Sequence, residues 1–127
     1  MNTQHESNNL GDLLKQEAEK YYSRDVVTLA SGQNLKLGTV VAKLTESGKV
    51  TALDLTKQET ATGAETAYGV LIQDTDASEK DAETIIIARD ACVASNALIW
   101  PTGITTAEKT AAIQQLKERG ILVRKGA

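Results

Sequence analysis

The side chains of this chain with the clearest potential for chemistry are carboxylates. Asp74 and Asp76 place oxygen ligands at alternate positions, which is how a calcium-binding loop begins. The pattern then fails, because Glu79 stands at the sixth position, where a turn glycine is required, and Ile85 stands at the twelfth, where a bidentate glutamate is required. We therefore predict a solvated acidic loop over residues 74–83 and no metal site.

The sequence gives equally little support for nucleophilic or acid–base catalysis. His5, the single histidine, lies in a polar stretch where nothing can orient it. Cys92 has neither a histidine partner nor neighbouring cations, so we expect a small buried hydrophobic residue. An enzyme would need a carboxylate pair such as Asp74 and Asp90 to converge in one cleft, and their spacing does not require it. We predict no catalytic residue, no cofactor and no enzyme.

Composition and charge exclude several further classes of protein. The net charge is −3 and the pI is about 5.2, without a basic stripe, so nucleic-acid binding is not expected. A single cysteine cannot form an internal disulfide, which indicates synthesis in a reducing cytoplasm. The sequence begins without signal-peptide features, and no apolar run approaches the roughly 20 residues of a membrane span. We therefore expect neither a secreted nor a membrane protein.

The N-terminal region divides into a polar stretch and a periodic one. Residues 1–9 are almost wholly polar and are expected to be disordered. Between residues 10 and 24, apolar side chains recur at steps of three and four, which predicts an amphipathic helix. These side chains are Leu10, Leu13, Leu14, Ala18, Tyr21 and Tyr22.

The remainder of the chain predicts short strands and one helix. Apolar runs, many of them β-branched, predict strands at 26–29, 40–44, 49–53, 68–72, 84–88, 98–100 and 121–123, with a long exposed loop at 54–66. Thr105 and Glu108 have the spacing of a capping box, so a helix begins there. Gly120 suits the left-handed position that ends it.

These elements indicate one α+β domain that is mainly β. Short consecutive strands favour a small β-barrel or β-tulip-like body, with the C-terminal helix closing one side. We predict a flexible N-terminal arm over residues 1–24 and a compact domain over residues 25–127. Trp100, followed by Pro101, is predicted to pack in the core or, alternatively, to anchor an interface.

Several segments carry a resemblance to a known family. They are Ala-Ser-Gly-Gln-Asn-Leu-Lys at 30–36, Gly-Thr-Val at 38–40, Gly-Val-Leu at 69–71 leading into Asp74 and Asp76, and Leu-Lys-Glu-Arg-Gly-Ile at 116–121. In this order and spacing the chain resembles the phage lambda-type head decoration proteins from about residue 10 to residue 124. None of these segments is a catalytic motif.

The resemblance implies a mechanical role on the outside of a virus particle. Proteins of this type form homotrimers over threefold positions of a tailed-phage head, bind the major capsid protein after the shell expands, and resist the pressure of packaged DNA. The implied location is the outer surface of the virion, after synthesis in the host cytoplasm. No nucleic acid, membrane or cofactor is implied as a partner.

The resemblance also gives the N-terminal arm a role, which conflicts with the helical periodicity. An extended arm would contact the capsid through the apolar anchors Leu10, Leu13, Leu14, Tyr21 and Tyr22. The alternative is a helix packed on its own domain or on a trimer neighbour. Residues 15–20 are more charged than in many relatives, which often carry a proline there, so the geometry of the arm is left open.

A carbohydrate-binding or host-surface adhesion module is the main alternative function, because small β-rich folds carry many functions. Sugar sites usually display aromatic platforms, and this chain has one tryptophan, three tyrosines and no phenylalanine. The composition therefore gives this alternative little support.

Overall fold

Aliphatic and β-branched residues fill most of the strands, and the fold is mainly β with one long helix near the C-terminus. The computed structural model describes residues 10–17, 20–57 and 62–125. The predicted disordered stretch 1–9 and part of the predicted loop 54–66 lie outside the described residues.

The elements are short and follow one another closely. In chain order they are α1 (Leu10–Leu13), β1 (Leu14–Glu17), α2 (Lys20–Ser23), β2 (Arg24–Leu29), β3 (Gln33–Leu35), β4 (Val40–Lys43), β5 (Val50–Ala52), β6 (Gly69–Leu71), β7 (Thr75–Ala77), β8 (Ala82–Ile87), β9 (Ala91–Ala94), α3 (Thr106–Glu118) and β10 (Ile121–Arg124), with 3-10 turns at Leu55–Lys57 and Ser95–Ala97. Most of the predicted strands are confirmed to within about two residues at each end. The exception is 98–100, where Ile99 forms a single bridge to Thr39.

Five strands form a ring in the order β2, β5, β4, β6 and β8. Its longest side is the antiparallel pairing of β2 with β8, which runs from Arg24 opposite Ile87 to Leu29 opposite Ala82. β4 and β5 pair antiparallel as a hairpin, and β6 joins β4 to β8. The ring closes where Leu29 of β2 pairs in parallel with Val50 of β5.

The predicted β-barrel is not confirmed, because this ring is not a barrel. A single residue pair joins β2 to β5, and β5 and β6 have three residues each. Strands this short do not provide the shared tilt and stagger that close a barrel.

The core lies on both faces of the ring strands rather than in one interior. Neighbouring residues of β8, Ile86 and Ile87, are both fully buried, but Ile86 belongs to the smaller core cluster and Ile87 to the larger one. β6 divides in the same way, with Val70 in the larger cluster and Leu71 in the smaller. This double burial explains why these strands read as continuous apolar runs in the sequence.

A second sheet covers the larger cluster, in the order β1, β9 and β10. β1 pairs antiparallel with β9, and β10 pairs parallel with it. A third pairing joins β3 to β7. Four strands were not predicted from the sequence, namely β1, β3, β7 and β9, because none of them is a long or strongly alternating apolar run.

The predicted helix over residues 10–24 is wrong. The segment contains two single helical turns, α1 and α2, with the strand β1 between them. The edge of β9 offers backbone hydrogen bonds to residues 14–17, and this long-range pairing overrides the local helical period.

The predicted C-terminal helix is confirmed, together with both of its ends. Thr105 accepts a hydrogen bond from the Glu108 backbone N–H at 3.1 Å, and the Thr105 N–H donates to the Glu108 carboxylate at 2.9 Å. This is a complete capping box. Gly120 follows the helix with a φ of 86°, so the chain reverses there into β10.

Replacing Thr105 by alanine is expected to lower the free energy of unfolding by about 1 kcal/mol, because the Glu108 backbone N–H in the first turn loses its acceptor, the Thr105 hydroxyl. Urea unfolding would measure the loss. Thr110→Ala is the matched control, since the Thr110 hydroxyl is exposed and bonds only to the Thr106 carbonyl within the helix. Equal midpoints for the two variants would contradict the role of the cap.

Candidate functional site

The N-terminal segment contains the five residues predicted to be anchors, and the described ones differ from one another in burial. Leu13 is fully buried in the larger core cluster, and Leu10 and Leu14 are half-buried against the same cluster. Tyr22 is 56% exposed, whereas the side chain of Tyr21 lies outside the described part of the chain. Tyr22 is therefore the one described anchor that presents most of its side chain to a partner.

A carboxylate within β1 fastens this segment to the start of β2. Glu17 accepts two hydrogen bonds from the Arg24 guanidinium, at 2.8 Å from Nε and 2.9 Å from Nη2. The Ser23 hydroxyl donates to the same carboxylate. The bond to Glu17 raises the pKa of Arg24 above its ordinary value. Because both side chains are largely shielded from water, this bidentate pair holds the segment in one position.

A second bidentate pair supports Tyr22. The Arg89 guanidinium donates to both oxygens of Asp25, at 3.1 and 2.8 Å, and to the backbone carbonyl of Tyr22. Its Cζ atom also lies 5.3 Å from the centre of the Tyr22 ring. The bonds to Asp25 raise the pKa of Arg89. Arg89 thus orients an exposed tyrosine, which is an arrangement suited to a contact surface.

Four residues of these two pairs were not predicted as site residues, namely Glu17, Arg24, Asp25 and Arg89. Glu17 and Arg24 stand seven residues apart across a strand and a turn, and Asp25 lies far from Arg89 along the chain. No local spacing signals such pairs, so only the opposite charges were visible in the sequence.

Trp100 is half-buried and packs against the larger core cluster. It also lines a cleft of about 260 Å³ with Leu35, Pro101 and Ile99, and Ile99 is 40% exposed. The indole therefore has one side against the core and another at a surface cleft.

The carboxylates of the acidic loop bind the loop's own backbone and nearby chain. Asp74 accepts from the Leu37 N–H at 2.8 Å, and Asp76 accepts from the Ser78 N–H and hydroxyl. Asp81 accepts from Ser31 and forms a 2.6 Å ion pair with Lys49. The bonds from Ser78 lower the pKa of Asp76, and those from Lys49 and Ser31 lower the pKa of Asp81. Among the described residues, no group of three histidines, cysteines or acids could hold a metal ion.

The remaining candidates for chemistry are separated in the fold. Cys92 is half-buried rather than buried, and it lines a cleft of about 290 Å³ with Gln16 and Asp90. That cleft does not include Asp74, which lies in the loop between β6 and β7. His5 lies outside the described residues. Asp74 and Asp90, the carboxylate pair considered for an enzyme, thus do not share this cleft.

No helix in the described ranges is long and apolar enough to cross a membrane.

Comparison with known proteins gives a match along nearly the whole chain. The family model of bacteriophage lambda head decoration protein D matches residues 3–121 of the 127. No curated protein matches the chain. The matched range includes the N-terminal segment, both ring faces and the C-terminal helix, and the family is a structural one of phage heads, not an enzyme family. The chain therefore belongs to the bacteriophage lambda head decoration protein D family.

Proposed function

We propose that this protein binds as a homotrimer to the outer surface of an expanded tailed-phage head, at threefold sites, and stabilises the shell against packaged DNA. The observation that carries the proposal is the family match over residues 3–121. A shell under outward pressure is strengthened by contact area that bridges its subunits, which requires no reactive group.

Within this proposal, residues 1–24 form the capsid-contacting arm and residues 25–127 form the body. Leu13 holds the arm on the body, because withdrawing a fully buried leucine from the core would cost about 2–5 kcal/mol. Tyr22 contacts the capsid, since it is exposed and is oriented by Arg89. Leu10 and Leu14 are half-buried, so part of each side chain is also available to the capsid.

Co-sedimentation with expanded and unexpanded heads tests this function. We expect saturable binding to expanded heads alone, and light scattering of the free protein measures whether trimers form before binding. Tyr22→Ala is expected to weaken binding at least about tenfold, as truncation of an interface tyrosine does at a hot spot. Leu122→Ala is the matched control, because it removes another partly exposed apolar side chain, on β10. Absence of binding to either form of head would overturn the proposal.

A further inference from the structure

Arg119 differs from the other half-buried arginines of the described chain. Arg24 and Arg89 each donate to both oxygens of a carboxylate. Arg119 forms no such pair with any described residue, and its Nε atom is buried without a hydrogen-bond partner. A buried donor that has lost water and gained no acceptor is unfavourable, so the position of this guanidinium must be set by another contact.

The ring of Tyr68 is that contact. The Arg119 Cζ atom lies 3.8 Å from the ring centre, and the Lys43 amine lies 5.3 Å from the same centre. The ring is itself held on the strands, because the Tyr68 backbone N–H donates to the Val41 carbonyl at 2.8 Å. Stacking fixes the plane of the guanidinium and leaves its N–H groups free to bind an acceptor in that plane.

A second fixed donor lies beside Arg119. Arg119, Tyr68, Lys43 and Gln115 line one cleft of about 490 Å³, which we name the Arg119 cleft. Gln115 precedes Arg119 by four residues, so the two side chains share one face at the end of α3. The Gln115 carbonyl accepts from the Ala67 N–H at 2.8 Å, which holds this amide in place. Its NH2 group remains available to donate.

The charges of the Arg119 cleft favour a singly charged ligand over a polyanion. Glu65 and Glu118 also line it, so they balance the formal charges of Lys43 and Arg119. The Glu65 carboxylate already accepts from the Gly63 N–H at 3.1 Å. A dianion would lie near two acids without a net positive field to hold it. A single planar carboxylate instead matches the guanidinium through the geometry of two parallel hydrogen bonds.

We propose that the Arg119 cleft is a binding site for one carboxylate group, which accepts two hydrogen bonds from Arg119 and a third from Gln115. The carboxylate belongs to a small organic acid or to an acidic side chain of another protein, since both present the same planar group. Binding orders little of the protein, because stacking and the bond to Ala67 already hold the two donors. This site does not depend on the proposed function, because it uses no residue of the arm.

Titration of the full chain with glutarate, followed by amide NMR at constant ionic strength, tests the site. We expect saturable shifts of the Ala67 and Tyr68 backbone amides and of the Gln115 side-chain amide. Acetamide, which has the shape of acetate without its charge, should cause no saturable shift. A blocked tripeptide with one central glutamate distinguishes the sources of the carboxylate. Tighter binding of the tripeptide than of glutarate would indicate a protein side chain, and the reverse would indicate a small organic acid; both results support the site.

Two conservative variants separate geometry from charge. Arg119→Lys keeps the positive charge but loses the planar pair of donors, so we expect glutarate to bind at least about tenfold more weakly. Gln115→Glu keeps an acceptor for the Ala67 N–H but loses the NH2 donor and adds a negative charge, so we expect a loss of at least about tenfold as well. Lys117→Gln is the matched control, because Lys117 is exposed nearby on α3 and does not line the cleft. Its binding should stay within about twofold of wild type, as expected for a screened surface charge.

Thermal unfolding of each variant separates loss of the site from loss of the fold, and Gln115→Glu carries the test if Arg119→Lys does not fold. Absence of saturable shifts with both glutarate and the tripeptide would overturn the inference. Wild-type affinity in Arg119→Lys would overturn it too, because any nearby cation would then suffice. Tighter binding of inorganic phosphate than of either carboxylate would show that the cleft takes a polyanion, which contradicts the proposal.

Discussion

Gly69→Ala is expected to lower the free energy of unfolding by about 3 kcal/mol, as overpacking at a rigid site does. A Cβ atom at this position would lie 2.5 Å from the Ile87 carbonyl oxygen and 3.0 Å from the Ile86 side chain. β6 cannot move away, because it pairs with β4 on one side and with β8 on the other. Urea unfolding followed by circular dichroism measures the change.

Gly103→Ala is the matched control for this variant. Gly103 has a φ of 82°, which alanine adopts with strain, but nothing lies within 4 Å of its added Cβ. We expect a loss of about 1 kcal/mol from conformation alone. If the two variants lost equal stability, the close approach of β6 to β8 would not be the reason for glycine at residue 69.

Local patterns were sufficient for the ring strands and for the long helix. The apolar run at Ile86 and Ile87 needs burial on both faces, and the structure provides a core cluster on each. The Thr105 cap bonds to Glu108 three residues away, so short-range sequence determines where the helix begins. Family membership could also be predicted from the sequence, because several short segments resemble those of the family and follow one another in the same order.

Features that depend on distant partners were not predictable. β3 and β7 have three residues each and form only by pairing with one another across 40 residues of chain. The stacking of Arg119 on Tyr68 was not predictable either, because no spacing in the sequence indicates that these two residues meet. The sequence suggested a barrel because the number of short strands can be read from it, whereas the number of residue pairs that join neighbouring strands cannot.

The N-terminal segment departs furthest from the structure that its local sequence pattern predicts. The periodicity of residues 10–24 predicted a helix, and the family resemblance implied an extended arm. Each of these predictions describes only part of the segment. In the structure, α1 supplies Leu13 to the core, and β1 adds to the edge of β9. A segment that is held this way contributes to the stability of the body, and that contribution can be measured.

Leu13→Ala is expected to lower the free energy of unfolding by about 3 kcal/mol, because the side chain is fully buried in the larger core cluster. Urea unfolding measures the loss, and amide exchange should show faster exchange in β1 and at its partner Val93. Leu122→Ala, at a residue that is 36% exposed, should change stability by less than about 0.5 kcal/mol. If Leu13→Ala behaved like Leu122→Ala, the segment would not be packed on the body in solution. An arm that orders only on the capsid would then be the better account.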